Sequence, residues 1–301
     1  MTSALLDLSP EVANALQAQR PVVALESTLI AHGLPWPLNH ETAAEAEAAV
    51  RAEGAVPATV AVWEGTPTVG LSPSRQQALA RGEGVLKASR RDLAFAVARK
   101  RTAATTVAAT MYLAHRAGIR VFATGGIGGV HRGAERSFDE SADLEAIARH
   151  PVCVVCAGAK LVLDLALTLE RLETLGVPVV GYGTSELPAF YVRSSGLPLP
   201  HRVDDALAAA RVAREQLARG VGIVIAVPIA TNDALDRREA EAEVARALAS
   251  AERQGIRGAA LTPFVLGQLS EATGGRSLAA NLSLLRGNAR VAAQIALALA
   301  M

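Results

Sequence analysis

Lysine is rare in this sequence, and the few lysines present stand out as candidates for chemistry. Of the 30 basic residues only Lys87, Lys100 and Lys160 are lysine. Arginine can replace lysine as a surface charge, but it stays protonated and cannot act as a nucleophilic amine. Lys160 follows the apolar run PVCVVC and three small residues. An amine in apolar surroundings, or beside another cation, becomes a nucleophile towards carbonyl-like carbon.

The alternatives to a chemical role differ among the three lysines. Lys160 precedes a predicted helix, where a lysine can simply extend to water. Lys87 follows the apolar pair Val85-Leu86 in the segment GVLKASRRD, which predicts a position just beyond a strand end. It is a candidate phosphate contact or a surface charge beside two arginines. Lys100 lies between two arginines in a solvated run and is assigned no role. Lys87 and Lys160 are therefore the candidate functional lysines.

One glutamate occupies a position suited to proton transfer. Glu26 follows the apolar run VVAL directly and precedes two hydroxyl side chains. A carboxyl group at a strand end that is partly shielded from water has a raised pKa, which suits a proton donor or acceptor near neutral pH. A helix N-cap or a buried salt bridge fits the same position equally well.

The segment ATGGIGGVHRGAERSFDESADL combines a glycine-rich loop with two aspartates. Its glycines let the backbone approach a ligand closely, although the third glycine of a dinucleotide fingerprint is missing. Asp139 and Asp143 are four positions apart, so on a helix they would share one face. Such carboxylates suit magnesium or manganese better than zinc, and charges at a helix start are the alternative. His131 is a candidate ligand contact or an ordinary loop histidine.

The two cysteines form a C-x-x-C pattern that could indicate a redox pair or half of a zinc site. They lie in an apolar, β-branched run that predicts a buried strand. Side chains three positions apart in a strand point to opposite faces of the sheet. We therefore expect Cys153 and Cys156 to be small buried side chains that share neither a disulfide nor a metal.

Apolar runs alternate with alanine-rich helical patterns along the chain. This order predicts an α/β fold, a three-layer α-β-α sandwich with a largely parallel central sheet. The segment Thr59–Leu71 predicts an inserted hairpin, and no linker divides residues 1–301, so we expect one domain. The predicted strands are Val22–Leu25, Ala58–Trp63, Val121–Thr124, Val152–Cys156, Val177–Gly181 and Gly222–Val227. The predicted helices are Glu41–Glu53, Thr105–Ala117, Ala142–Arg149, Leu161–Leu175, Asp204–Arg219, Asp236–Gln254, Phe264–Ala272 and Ser277–Leu299.

Charge and composition argue against several classes of protein. A formal net charge of +1 removes the usual electrostatic argument for nucleic acid or an anionic membrane. Two Trp, three Tyr and five Phe are too few for a platform that stacks bases. No apolar run approaches the roughly 20 residues that span a bilayer, and the start shows no secretory signal pattern. We expect a soluble globular protein of the cytoplasm.

Five long motifs resemble the pseudouridine-5′-phosphate glycosidases, whose fold is called indigoidine synthase A-like. The resemblance extends from about Pro21 to near the C-terminus and leaves residues 1–20 outside it as an N-terminal extension. The motifs are VALESTLIAHGLPWP, GGVHRGAERSFDESADL, VCAGAKLVLDL, GYGTSELPAFYVRSSG and ALTPFVLGQLSEATGGRSLAANLSLLRGNA.

The resemblance implies reversible cleavage of the C–C glycosidic bond of pseudouridine 5′-phosphate to uracil and ribose 5-phosphate. It implies that Glu26 is the proton donor and that Lys160 is the nucleophile that forms an imine with the opened ribose. It also implies a homotrimer with one divalent ion per subunit, usually Mn²⁺, held by Asp139. The implied substrate contacts are Lys87, Val107, His131, Ser141, Ala142, Asp143 and Asn281.

Two other classes of enzyme remain as alternatives. A class I aldolase-like barrel also uses a lysine imine on phosphorylated sugars, but it predicts eight regular strand–helix units. A nucleotide-binding regulator or sugar kinase would use the glycine loop for phosphates, and it predicts ATP binding without a borohydride-trappable lysine adduct. A non-catalytic structural protein would leave Glu26, Lys160 and the paired aspartates unexplained.

Overall fold

Strands and helices alternate along the chain in the computed structural model, which describes residues 6–256, 258 and 261–301. The strands are β1 (Asp7–Leu8), β2 (Val22–Leu25), β3 (Val56–Trp63), β4 (Thr66–Val69), β5 (Leu86–Ala88), β6 (Ala103–Thr105), β7 (Val121–Ala123), β8 (Val130–His131), β9 (Cys153–Cys156), β10 (Leu163–Asp164), β11 (Val179–Tyr182), β12 (His201–Val203) and β13 (Ile223–Ala226). The α-helices are α1 (Pro10–Gln17), α2 (Leu38–Ala52), α3 (Pro73–Arg81), α4 (Leu93–Ala98), α5 (Val107–Ala117), α6 (Ala134–Ser137), α7 (Ala142–Arg149), α8 (Leu165–Thr174), α9 (Ala206–Ala218), α10 (Arg237–Arg253), α11 (Leu261–Ala272) and α12 (Arg276–Ala300).

One sheet of 11 strands organises these elements in the order β1-β4-β3-β2-β7-β9-β13-β11-β12, with β6 beside β3 and β5 beside β6. Its neighbouring strands are parallel except in the pairs β3–β4 and β3–β6. A separate two-stranded ladder joins β10 to β8. The main sheet has free edge strands, so it is not the closed barrel of an aldolase.

The central strands are apolar on both faces because helices cover both sides of the sheet. One core packs side chains of β2, β7 and β9 against α2, α9 and α12. The opposite core packs alternate side chains of the same strands against α5, α7 and α10. This arrangement confirms the predicted three-layer α-β-α architecture with a largely parallel sheet. None of the described helices combines the length and the apolar character needed to cross a membrane.

The two cysteines illustrate the alternation between the two cores. Cys153 packs into the core beside α12, and Cys156 packs into the core beside α5. Both thiols are free and fully buried, and burial raises the pKa of each to about 12. The prediction of small buried side chains on opposite faces is confirmed.

The six predicted strands are all present, with bounds that differ by no more than two residues, and the predicted hairpin is confirmed as the antiparallel pair β3–β4. The elements between Pro73 and Thr105 were not predicted, nor was the N-terminal strand. There, β1 pairs in parallel with β4, and Ser9 caps α1 by accepting a hydrogen bond from Val12. Part of the predicted N-terminal extension thus belongs to the sheet, whereas residues 1–5 lie outside the described residues.

Candidate active site

The carboxyl ends of three adjacent parallel strands bring the candidate residues to one edge of the sheet. Glu26 follows β2 directly, Thr124 follows β7 directly, and Lys160 lies shortly beyond the end of β9. Since β7 pairs with both β2 and β9, the three segments that follow these strands converge. This edge is where open α/β sheets bind their ligands.

Two adjoining cavities lie at this edge, with volumes of about 370 Å³ and 670 Å³. We call the smaller one the apolar cavity because most of its lining is apolar, including Leu29, Leu34, Phe190, Leu266 and Leu285. We call the larger one the polar cavity because hydroxyl groups and charged groups line it, including Ser89, Arg90, Arg91, Asp139 and Asp143. The residues that line both are Glu26, Thr28, Lys87, Lys160 and Thr262.

Every site residue named from the sequence lines at least one of these cavities. Three line both, namely Glu26, Lys87 and Lys160. Those that line the polar cavity alone are Val107, His131, Asp139, Ser141, Ala142 and Asp143. Asn281 lies in helix α12, far along the chain from the others, and lines the apolar cavity. The fold thus assembles the set from segments that are far apart in the sequence.

Burial and neighbouring charges shift the proton affinities of two groups at the junction of the cavities. Burial raises the pKa of Glu26 above its ordinary value, although Lys160 and the Thr124 hydroxyl act in the opposite direction. Burial, and then the positive charge of Lys160, lower the pKa of Lys87, against the effects of Glu26 and Asp143. A carboxyl group that keeps its proton to a higher pH can serve as an acid near neutrality.

Asp143 is held by backbone groups from two elements. Its Oδ1 accepts a hydrogen bond from the Ala108 N–H at 3.0 Å, and its Oδ2 accepts one from the Gly128 N–H at 2.8 Å. Its carboxylate therefore ties the first turn of α5 to the glycine-rich loop. Asp139 precedes helix α7, which begins at Ala142 as predicted, so Asp139 and Asp143 do not share a helix face.

The local structure at the two candidate lysines also differs from the predictions. Helix α8 begins at Leu165, where the Asp164 side chain caps it, so Lys160 does not stand at a helix start. The residues between them form a turn and the short strand β10. Lys87 lies within β5 instead of beyond a strand end. The sequence placed both lysines near the site but assigned the wrong local structure to each.

Several buried polar atoms beside the cavities have no hydrogen-bond partner among the described residues. They are Thr28 Oγ1, His32 Nε2, Thr106 Oγ1 and Asn281 Oδ1. A buried polar atom without a partner is costly, so these atoms are suited to contacts with a ligand. Burial lowers the pKa of His32, which favours its neutral form. Sequence reasoning missed His32 and Thr28 as site residues, although both lie in the motif that contains Glu26.

Asp139 is suited to one mode of metal binding. Its side chain is half-buried and lines the polar cavity, and its carboxylate makes no hydrogen bond or ion pair to the described part of the protein. Within that part of the chain no three His, Cys, Asp or Glu side chains cluster as metal ligands. Mg²⁺ commonly binds through one or two carboxylates, several waters and substrate phosphates. A hard divalent ion held in this way fits a single aspartate in a polar cavity.

Gly128 lies where no side chain fits, which predicts a large loss of stability on substitution. A Cβ atom at this position would overlap Ser141 and lie 2.8 Å from Asp143 Oδ2. We expect Gly128→Ala to lower the free energy of unfolding by about 1–3 kcal/mol, measured by urea denaturation. Gly287→Ala is the matched control, since a Cβ there meets nothing within 4 Å and alanine favours its helix. Equal stability of both variants would contradict the overlap.

Relatives similar to this chain bear one recurring name. A protein of Methylobacterium nodulans called pseudouridine-5′-phosphate glycosidase is 56% identical over 301 residues, which cover 99% of this chain and 89% of that protein. A protein of the same name from Herpetosiphon aurantiacus is 57% identical over 296 residues, which cover 98% of each chain.

Two solved structures share the fold over nearly the whole chain. The prealnumycin C-glycosynthase AlnA, in complex with ribulose 5-phosphate, superposes with a TM-score of 0.91 at 45% identity and covers 99% of this chain and 98% of its own. An indigoidine synthase A-like protein of Thermotoga maritima has a TM-score of 0.89 at 33% identity, over 99% and 97% of the two chains. The model of the indigoidine synthase A-like protein family matches residues 11–298. The match therefore begins before Pro21, where the resemblance of the sequence motifs begins. The chain therefore belongs to the indigoidine synthase A-like protein family.

Proposed function

We propose that this protein is a pseudouridine-5′-phosphate glycosidase, which reversibly cleaves the C–C glycosidic bond of pseudouridine 5′-phosphate to uracil and ribose 5-phosphate. The observation that carries the proposal is that Glu26 and Lys160 line the same two cavities. They do so in a chain that is more than half identical to relatives of that name. An acid and an amine that share one ligand site are the groups this reaction needs.

The substrate spans the two cavities in this proposal. The phosphate lies in the polar cavity, near Lys87, Arg90 and the N-terminal end of α5, where backbone N–H groups favour an anion. The uracil lies in the apolar cavity, within reach of His32 and Asn281. The sugar then lies at the junction of the two cavities, beside Glu26 and Lys160.

Covalent catalysis by an amine suits a bond between two carbons. Ordinary glycosidases protonate the heteroatom of the leaving group, but the leaving carbon of uracil has no lone pair to protonate. Lys160 Nζ, as the free amine, attacks C1′ while the C1′–O4′ bond breaks and Glu26 gives a proton to O4′. The sugar is then open, and its C1′ carries both the lysine nitrogen and the uracil. One difficult step is divided into easier ones.

The C–C bond breaks from this open adduct. The adduct nitrogen became an ammonium when it attacked, and it first returns a proton to the Glu26 carboxylate and so regains its lone pair. Glu26 then gives this proton to C5 of uracil, the electrons of the C1′–C5 bond remain with the base, and the nitrogen lone pair forms the protonated C1′=N imine. Water then hydrolyses the imine, which releases ribose 5-phosphate and restores the amine. The sum is pseudouridine 5′-phosphate plus water to uracil plus ribose 5-phosphate. In the direction of synthesis water is eliminated, so the reaction type is that of a hydro-lyase.

The test of the proposed function follows free uracil directly. The purified protein is incubated with pseudouridine 5′-phosphate and MnCl₂, and the products are separated by chromatography. We expect uracil and ribose 5-phosphate in equal amounts. Uridine 5′-phosphate is the matched control substrate because its base is attached through nitrogen. Absence of uracil from the first reaction would contradict the proposed function.

Asp139 is the proposed ligand of one divalent ion per subunit, most suitably Mn²⁺. The bound ion would orient the substrate through water and offset negative charge. We expect EDTA to lower uracil release by at least about tenfold and MnCl₂ to restore it. Asp139→Asn should be slow at low metal concentration and recover only at high MnCl₂. Full activity in EDTA would show that the reaction needs no metal.

The assembly and location of the protein are also proposals. The family resemblance supports a homotrimer in the cytoplasm, and the exposed Phe95 and Phe138 are candidates for contacts between subunits. Sedimentation equilibrium measures the number of subunits.

A further inference from the structure

A hydroxyl group contacts the proposed catalytic carboxyl from the neighbouring strand. The Thr124 hydroxyl donates a hydrogen bond to Glu26 Oε1, across the parallel pair β2–β7. Thr124 is itself nearly inaccessible to solvent, and its backbone N–H donates to the Val155 carbonyl at 3.1 Å. The backbone that carries this hydroxyl is therefore anchored to β9.

Asn288, a buried asparagine in helix α12, makes hydrogen bonds to the backbone at Thr124 and Gly125. Asn288 Nδ2 donates to the Thr124 carbonyl at 2.8 Å and lies 3.3 Å from the Gly125 carbonyl. Only 1% of Asn288 is exposed, and its helix α12 packs on β7 and β9. A buried amide satisfied by two backbone carbonyls fixes the start of the glycine-rich loop.

We infer that Thr124 and Asn288 are positioning residues for the Glu26 carboxyl group. Asn288 fixes the backbone of Thr124, and the Thr124 hydroxyl fixes one oxygen of Glu26. This inference rests on the proposed function, in which Glu26 is the acid that protonates O4′ of the ribose. Neither side chain contacts the reacting atoms in this arrangement, since both act through Glu26.

The direction of the hydrogen bond determines which oxygen carries the acidic proton. Because Oε1 accepts from Thr124, Oε2 is the oxygen left to carry and deliver the proton. A hydrogen bond donated to the ionised carboxylate also favours ionisation, so it opposes the rise in pKa that burial causes. The charged groups that act on Glu26 are Lys160, Lys87 and Asp143. Thr124 therefore limits how far burial raises the pKa of Glu26.

The pH profile of kcat distinguishes positioning from a merely structural role. In Thr124→Val, which is close in shape but has no hydroxyl, the basic limb of the profile should move up by about one pH unit. Its kcat should fall by about tenfold at the optimum, with KM changed by less than about twofold. Thr124→Ser keeps the hydroxyl, so its basic limb should lie at the same pH as in wild type and it should keep most of the wild-type kcat. Identical basic limbs in wild type and Thr124→Val would overturn the inference.

A double-mutant cycle tests whether Asn288 acts through Thr124. Asn288→Ala should move the basic limb in the same direction as Thr124→Val but by less. In the Thr124→Val background the same substitution should add no further shift, because the hydrogen bond to Glu26 is already lost. Additive shifts would overturn the role of Asn288. Thermal unfolding checks that each variant is folded. If Asn288→Ala is not folded, Asn288→Ser is measured in its place.

The proposed function and this inference fail in different ways. A wild-type protein that releases no uracil contradicts the proposed function. A wild-type protein that releases uracil, with a basic limb that Thr124→Val leaves in place, contradicts only the positioning of Glu26 by Thr124.

Discussion

Replacing Lys160 with arginine is expected to abolish uracil release, with kcat reduced by at least about 10⁴-fold. The positive charge survives in this variant, but a guanidinium stays protonated and cannot form an imine with C1′. Uracil formation measured by chromatography gives the rate. Borohydride reduction with ribose 5-phosphate, followed by mass spectrometry, should add the sugar to wild type at Lys160 and leave Lys160→Arg unmodified.

The other two lysines supply matched controls for this result. Lys100 is exposed and lines neither cavity, so Lys100→Arg should keep full activity and the same borohydride adduct. Lys87 lines both cavities, so its variant tests whether a second amine could replace Lys160. Lys87→Arg should still form the adduct at Lys160 even where its turnover is slow. An adduct on Lys87 in wild type, or turnover by Lys160→Arg, would contradict the imine at Lys160.

The centre of the fold is predictable because its strands are continuous apolar runs. Val22–Leu25 is buried on both faces and has the bounds that the sequence predicted. Helix α7, at Ala142–Arg149, also has its predicted bounds, since Ser141 caps it and its apolar side chains recur at helical spacing. The sequence within such a strand or helix is therefore enough to predict where it begins and ends.

The edge of the sheet was not predicted because its strands are too short to carry a pattern. β1 and β5 contain two and three residues, and their conformation depends on pairing with β4 and β6. Lys87 therefore lies in a strand that no local periodicity indicates. Pairing between segments that are far apart in the chain, not local preference, creates these elements.

The error at Lys160 has a local cause that the sequence contains. Asp164 caps α8 by accepting from the Leu167 N–H at 3.0 Å, so the helix begins later than its apolar pattern suggests. The residues before it pair with β8 instead. An aspartate followed by a helical pattern is a recognisable start, and it leaves Lys160 in irregular backbone beside the cavities.

The positioning of Glu26 shows what the sequence could not supply. Glu26 stands out because it follows an apolar run, but nothing near it in the chain indicates Thr124 or Asn288. The hydrogen bonds among them join β2, the end of β7 and α12. Only the three-dimensional packing of these elements reveals that the carboxyl is held.

Replacing Glu26 with glutamine is expected to lower kcat by about 10²–10⁴-fold, because the amide keeps the shape of the side chain but has no proton to give to O4′. Uracil release as a function of pH measures the effect. In wild type, activity should fall as the pH rises through the raised pKa of Glu26, and this limb should be missing from the residual activity of Glu26→Gln. Glu83→Gln, which removes an exposed carboxylate away from the cavities, should behave as wild type.

The same variant should be more stable than wild type at high pH, which separates a catalytic role from a structural one. Because burial raises the pKa of Glu26 in the folded protein, its contribution to stability is fully present below the pKa of the unfolded chain. That contribution is lost as the pH rises through the folded pKa, whereas a glutamine stays neutral throughout. The free energy of unfolding of Glu26→Gln relative to wild type, measured by urea denaturation, should therefore increase from pH 4 to pH 8. A difference that does not change with pH would mean that Glu26 ionises in the folded protein as it does in the unfolded chain, and that burial does not hold its proton.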